Sequence, residues 1–247
     1  MFIPEIKKFI QQNKYPEFQL KAVFFDMDGV LLDSMENHSQ AWVKTMNGLN
    51  IPFTIEEAYL NEGRVGHDTI NNAYMRTFGR TATLEEQENI YETKTQHLEA
   101  LGEILSMPYS HDLLKKVKQQ DLTIFLVTGS GQPSLLNSLD DYFPDIFLKE
   151  RMITAFDVKQ GKPSPEPYLR ALEKSGLNPW EIVVIENAPL GVESSVAAGL
   201  FTIAINTGPI HPDALISKGA DIVLEGGMEE LYQKWDDFYA SSLSVKI

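Results

Sequence analysis

Five short apolar runs, none alternating with polar residues, constrain this 247-residue chain more than any other feature. They are Lys21–Phe25, Leu122–Val127, Glu181–Ile185, Phe201–Ile205 and Ala220–Leu224. A strand that is apolar at successive positions is covered on both faces, and parallel strands joined by helices provide that cover. Helical patterns fill the intervals, near His111–Gln120, Pro133–Leu139, Glu166–Ser175, Leu190–Ala198 and Asp213–Lys218. The chain therefore reads as an α/β protein with a doubly wound, Rossmann-like parallel sheet. Ligands of such sheets bind beyond the carboxyl ends of the strands.

One interval breaks the rhythm. Residues 34–109 hold no convincing strand but four helical segments, at Glu36–Asn47, Ile55–Asn61, Asp68–Phe78 and Leu84–Leu101. Thr83 and Glu86 have the spacing of a capping box at the last of these. The expected organisation is an N-terminal amphipathic extension (1–20), an α/β core (21–33 and 110–247) and an inserted all-helical cap (34–109). Phe2, Ile6, Phe9 and Ile10 at helical spacing suit a helix packed on the core, and Ser241–Ile247 reads as a loose tail.

Several classes are excluded by composition. Cysteine is absent, so no disulfide, thiolate nucleophile or Cys-ligated metal exists. With 21 basic and 35 acidic residues, the net charge of −14 opposes nonspecific nucleic-acid binding, which relies on Lys and Arg. No apolar run reaches the roughly 18 residues of a membrane span, and Pro4, Glu5, Lys7 and Lys8 interrupt any signal-peptide core. A soluble, cytoplasmic protein is expected, as a monomer or small homo-oligomer, with neither nucleic acid nor membrane as partner.

The candidate chemistry lies just past the strand ends. Asp26 and Asp28 follow the first run, Thr128, Gly129 and Ser130 the second, and Glu186 and Asn187 the third, while Lys162 stands in a proline-rich loop. Parallel strands bring these ends to one rim. Carboxylate and amide oxygens, without thiolates or clustered histidines, favour a hard cation such as Mg²⁺. A hydroxyl, backbone N–H groups and one ammonium suit a phosphoryl group. Asp26 is placed to attack phosphorus, and Asp28 to act as general acid and then base. Taken singly, each has a plainer reading: two aspartates form turns, Thr-Gly-Ser-Gly is an ordinary loop, and Glu186-Asn187 caps a helix. Their order on successive strand ends is what carries the chemical reading.

In that order the residues resemble the haloacid dehalogenase superfamily, in its branch similar to β-phosphoglucomutase. Asp26-Met27-Asp28-Gly29-Val30 looks like its first signature, Thr128 its second, Lys162 its third and Glu186-Asn187 its fourth. The resemblance implies a Mg²⁺-dependent phosphohydrolase working through an aspartyl phosphate, under a cap that excludes water. Asp26, Asp28, Glu186 and Asn187 are then the metal group of the core. Thr128, Gly129, Ser130 and Lys162 then bind phosphate.

Two departures bear on the substrate. The fourth signature usually carries an acidic pair, and here Asn187 is neutral. Mutases of this branch grip a second phosphate with a basic cap residue where this chain has Gly66, so Arg64 is the nearest substitute, unless it is simply solvated. Glu62 is either a surface glutamate or reaches the cation from the cap, which restores the missing charge. The segment Glu62-Gly63-Arg64, with Thr-Gly-Ser-Gly-Gln and Glu-Asn-Ala-Pro, resembles the inorganic pyrophosphatases of the superfamily. Pyrophosphate is therefore the favoured substrate. The alternative is a sugar-phosphate phosphatase or β-phosphoglucomutase-type phosphotransferase, and a catalytically silent binding module is the remaining option. His38 stands where mutases place a histidine near the nucleophile, against the default of a solvent-facing helical residue. Trp42, Tyr59, Tyr74 and Tyr91 read as cap core.

Overall fold

The computed structural model describes residues 2–245. Six parallel strands form one sheet in the order β3-β2-β1-β4-β5-β6: β1 (Ala22–Phe25), β2 (Thr123–Val127), β3 (Met152–Ile153), β4 (Ile182–Glu186), β5 (Phe201–Ile205) and β6 (Ile222–Leu224). This is the expected α/β architecture with one more strand, the two-residue β3. The register sets Phe25 beside both Leu126 and Ile185, so β1, β2 and β4 end side by side at the centre of the rim.

Helices cover both faces. One face is packed by α1 (Ile3–Asn13), α6 (Ser110–Gln119), α7 (Pro133–Tyr142) and α11 (Gly227–Ser244), and the other by α8 (Glu166–Ser175), α9 (Pro189–Ala197) and α10 (Asp213–Ile216). Strand residues alternate between the two faces. Val23 and Phe25 face the first core, whereas Ala22 and Phe24 face the second with Tyr168. The N-terminal extension is part of this packing, because Phe9 of α1 meets Phe18 and Phe201 edge-on. The loose tail needs correcting. Ser241 and Ser242 are buried in the last turns of α11, Val245 is buried as well, and of this tail 246–247 lie outside the described residues. Among the described residues no helix is long and apolar enough to cross a membrane.

Helices α2 (Met35–Gly48), α3 (Ile55–Leu60), α4 (Gly66–Phe78) and α5 (Leu84–Glu99) form the cap. They bury a cluster of their own, including Met46, Ile51, Ile70 and Ile90. The expected capping box is present: Thr83 and Glu86 satisfy each other's backbone N–H groups at the start of α5. The chain leaves and re-enters the core through two adjacent segments. Leu32 bridges Ser106 in antiparallel fashion, Asp33 N–H donates to Leu105 O at 2.9 Å, and Met107 N–H donates to Leu31 O at 2.8 Å.

Candidate active site

Asp26 is the first residue beyond β1, and its N–H still donates to Ile185 O at 3.0 Å, so the strand ladder fixes its backbone. Its carboxylate is almost fully buried, with Oδ1 2.5 Å from Lys162 Nζ. Lys162, itself buried, also donates to Glu186 Oε1 at 2.6 Å and to Val127 O at 3.1 Å. One ammonium is thus shared between two carboxylates. Burial opposes its charge, but Asp26 and Glu186 outweigh burial and raise its pKa. For Asp26 the balance runs upward to about 8, because burial, Glu186 and Asp28 together overcome Lys162.

Glu186 was expected among the metal ligands, and the structure shows both of its oxygens bonded to neighbours in the core. Oε1 accepts from Lys162 and from Tyr168 Oη at 2.7 Å, and Oε2 accepts from the N–H groups of Asn187 and Ala188. Through Oε1 this carboxylate ties Lys162 to Tyr168. Sequence reasoning passed over Tyr168, a buried tyrosine on α8, because nothing in its local pattern separates it from ordinary core.

Asn187 turns the other way. Its amide nitrogen donates to both oxygens of Glu62, at 3.1 and 3.2 Å, and its Oδ1 is buried without a hydrogen-bond partner. Glu62 is buried beneath the cap, and burial, followed by the charge of Asp26, pushes its pKa well up. Gly29 is required here, since it has φ of 78° and a side chain there would run into the Asn187 amide. Among the described residues no three His, Asp or Glu side chains already form a metal cluster. The donor set of Asp26, Glu62 and the orphaned Asn187 oxygen nevertheless fits a hard divalent cation. Hard oxygen ligands are present, and among the described residues Glu62 has no cationic partner while Asp26 shares its one, Lys162, with Glu186.

On the other side of the chamber, Asp28 Oδ1 accepts from Ser34 Oγ at 2.5 Å and lies 3.4 Å from His38 Nε2. His38 is therefore an enclosed residue of the site rather than a solvent-facing one. Its Nδ1 stands 2.8 Å from Nζ of Lys94, which also lies over the Trp42 ring. Lys94 was missed from the sequence. It sits on a helix rich in charged residues, where a lysine reads as solvated, and its partner is 56 positions away. Burial lowers Lys94 to about 7, and burial with the neighbouring ammonium lowers His38. Burial would raise Asp28, but His38, Ser34 and Lys94 together hold it below its usual range.

A group with a depressed basic pKa binds fewer protons in the folded state than in the unfolded one. Stability linked to Lys94 therefore rises with pH between about 7 and 10.5, by up to about 1.4 kcal/mol per pH unit. Lys94→Met should flatten that rise and gain stability over the wild type below pH 7. Denaturant midpoints at pH 6, 8 and 9.5 measure it, and parallel pH curves for the two proteins would contradict the assignment.

The loop after β2 completes the chamber. Thr128 is buried, and its Oγ1 accepts from Ser130 N–H at 3.0 Å, which curls Thr128, Gly129 and Ser130 around the floor. Arg64 lines the roof, with Nε donating to Asn61 Oδ1 at 3.2 Å. The chamber has a volume of about 70 Å³. Trp42 and Tyr91, expected only as cap core, also face it. A side chain at position 66 would collide with the Tyr91 ring, which would have to turn away to admit one.

The structure thus draws Asp26, Asp28, Thr128, Gly129, Ser130, Lys162, Asn187, Glu62, Arg64 and His38 to one cleft, with Glu186 behind it. The chain is 31% identical to hexitol phosphatase A of Escherichia coli, over 75% of this chain and 83% of that protein. It is 24% identical to the β-phosphoglucomutase of Bacillus subtilis, over 89% and 97%. A solved structure from Bacteroides vulgatus that bears the name of a β-phosphoglucomutase is 45% identical and superposes with a TM-score of 0.93, covering 97% of both chains. The haloacid dehalogenase-like hydrolase family matches residues 20–199, and the chain belongs to that family.

Proposed function

We propose that this enzyme hydrolyses a small phosphorylated compound with Mg²⁺, by way of a phosphoryl group carried on Asp26. The observation that carries this reading is the shared Lys162: it fixes one oxygen of Asp26 toward the core, beside the Thr128–Ser130 loop. Asp26 attacks phosphorus, and the bond to the leaving oxygen breaks as that oxygen takes a proton from Asp28. Water then attacks phosphorus, Asp28 accepts its proton, and the Asp26–phosphorus bond breaks to release inorganic phosphate. Asp28 rests ionised, the form needed for the second step. The charge of a bound phosphate raises its pKa and prepares the first step. Thr128 and the backbone around Gly129 orient the phosphoryl oxygens, and the cap keeps water out until the leaving group has gone. Asp26, Asn187 and Glu62 would hold the Mg²⁺, which when bound offsets anionic repulsion and stabilises charge on the transferring group.

For the substrate, the names of the relatives support a sugar phosphate, and this is the first reading. The absence of a basic side chain at position 66 favours a phosphatase over a mutase. A second reading, inorganic pyrophosphate, is favoured by one observation. Glu62 occupies the chamber beside Asn187, which leaves space for a compact substrate. Steady-state kcat/KM on pyrophosphate against hexitol, hexose and pentose phosphates decides between them, and turnover of none removes the proposal. Glu62→Gln should raise the Mg²⁺ concentration for half-maximal activity by about tenfold, the size of effect seen when groups supporting a metal site are lost. An unchanged metal titration separates Glu62 from the cation.

A further inference from the structure

The cap bears down on the core next to the chamber through residues 59–66, and three of its points of closest approach fall on core glycines. A methyl group on Gly208 would stand 2.6 Å from Tyr59 Cδ1. On Gly161 it would overlap Val65 Cγ2, and on Gly129 the carbonyl oxygen of Gly63. None of the three has a positive φ, so the backbone does not call for glycine at these sites. What each position supplies is the absence of a side chain. Carbon atoms settle at about 3.5–4.0 Å, so any larger residue would displace the facing atoms, and at Gly129 the atom met is the Gly63 carbonyl oxygen, which moves only with the 59–66 backbone. Glu62 and Arg64 lie between these contact points and line the chamber. The depth of seating therefore sets how far their head groups descend.

We propose that this seat, with the Tyr59–Gly208 contact as its outer support, determines which substrates fit: it gauges the size of the leaving group. The inference rests on the phosphohydrolase reading above. A seat lifted by one methyl group weakens the grip of residues 62–64 on a compact substrate and gives a bulky one more room. Gly208 is the position to alter, because it lies in the loop after β5 and the atoms nearest a methyl group there all belong to Tyr59. The adjoining Thr207 accepts from the Asn187 amide at 3.3 Å, so an unchanged Mg²⁺ titration is required of the variant as well. Gly129 and Gly161 adjoin Thr128 and Lys162, so substitutions there would disturb the chemistry directly.

The test compares wild type, Gly208→Ala and Gly208→Ala/Tyr59→Ala in two measurements. The first is kcat/KM for pyrophosphate and for a hexose phosphate. The ratio of the two should shift at least tenfold toward the hexose phosphate in Gly208→Ala, since a displacement near 1 Å can change rates by up to a hundredfold. It should return toward the wild-type value in the double variant, where the clashing ring is gone. Equal losses on both substrates, or no return, overturn the gauge. The second is amide hydrogen exchange of residues 59–66, which needs no substrate. It should quicken in Gly208→Ala and slow again in the double variant, and unchanged exchange overturns the seat itself. If the wild type turns over neither compound, the phosphohydrolase reading falls, while exchange still decides whether the seat exists.

Discussion

Asp26→Asn should lower Mg²⁺-dependent phosphate release by about 10⁴-fold or more, the scale of loss when a nucleophile is removed from an enzyme that uses a covalent intermediate. The amide keeps the shape of the side chain but cannot displace a leaving oxygen, so substrate binding should survive. The same substitution should not weaken the fold. Asp26 is pushed up to about 8 by burial and by its carboxylate neighbours, so the folded chain already resists its charge at neutral pH. A neutral isostere removes that opposition, and thermal melting without metal should show a midpoint equal to or above that of the wild type. Loss of activity with unchanged or raised stability separates a nucleophile from a structural aspartate. Wild-type turnover in the variant would exclude Asp26 from the chemistry.

Lys162→Met should do the reverse and damage both properties. Lys162, Asp26 and Glu186 are all buried, and the ammonium is the counter-charge that both carboxylates contact. Removing one partner of a buried ionic group costs about 3–5 kcal/mol, because the remaining charge stays unpaired in a poorly polarisable interior. For a chain of this size that lowers the melting midpoint by about 10 °C. The Lys162→Met/Asp26→Asn double variant should regain part of the loss, since Glu186 keeps Tyr168 and two backbone N–H groups. Non-additivity in this cycle measures the coupling. If the double variant is as unstable as the sum of the two single ones, the pair is not coupled and Lys162 serves only Glu186.

The core motifs were legible because a parallel sheet converts sequence order into proximity: residues that end β1, β2 and β4 must meet, however long the intervening chain. The contact between Glu62 and Asn187 could be anticipated only through charge, as an acidic residue offered where Asn187 lacks one. Lys94 and Tyr168 were not legible. Each belongs to a helix whose local pattern is ordinary, and each acquires meaning from a partner distant in sequence. The strand β3 holds two residues and carries no period to read. The last helix is a different case. Met228, Leu231, Trp235 and Phe238 follow helical spacing and are all buried, so the signal for α11 was present and was passed over. Glu186 lies behind the cleft, bonded to Lys162 and Tyr168. Its neighbour Asn187 carries the free oxygen, and which of two adjacent side chains faces the chamber depends on where the strand ends.

The paired crossing between core and cap has a consequence for how such enzymes diversify. Leu31–Asp33 and Leu105–Met107 run side by side and exchange backbone hydrogen bonds, so the core closes on itself before the cap begins. To the sheet, everything between those two segments is the far side of a hairpin. The entropy of closing a loop grows only slowly with its length, so what hangs from that hairpin can be lengthened, shortened or replaced at little cost to the sheet below. The half that holds Asp26 and Lys162 and the half that holds Glu62 and Arg64 can thus be inherited on separate schedules.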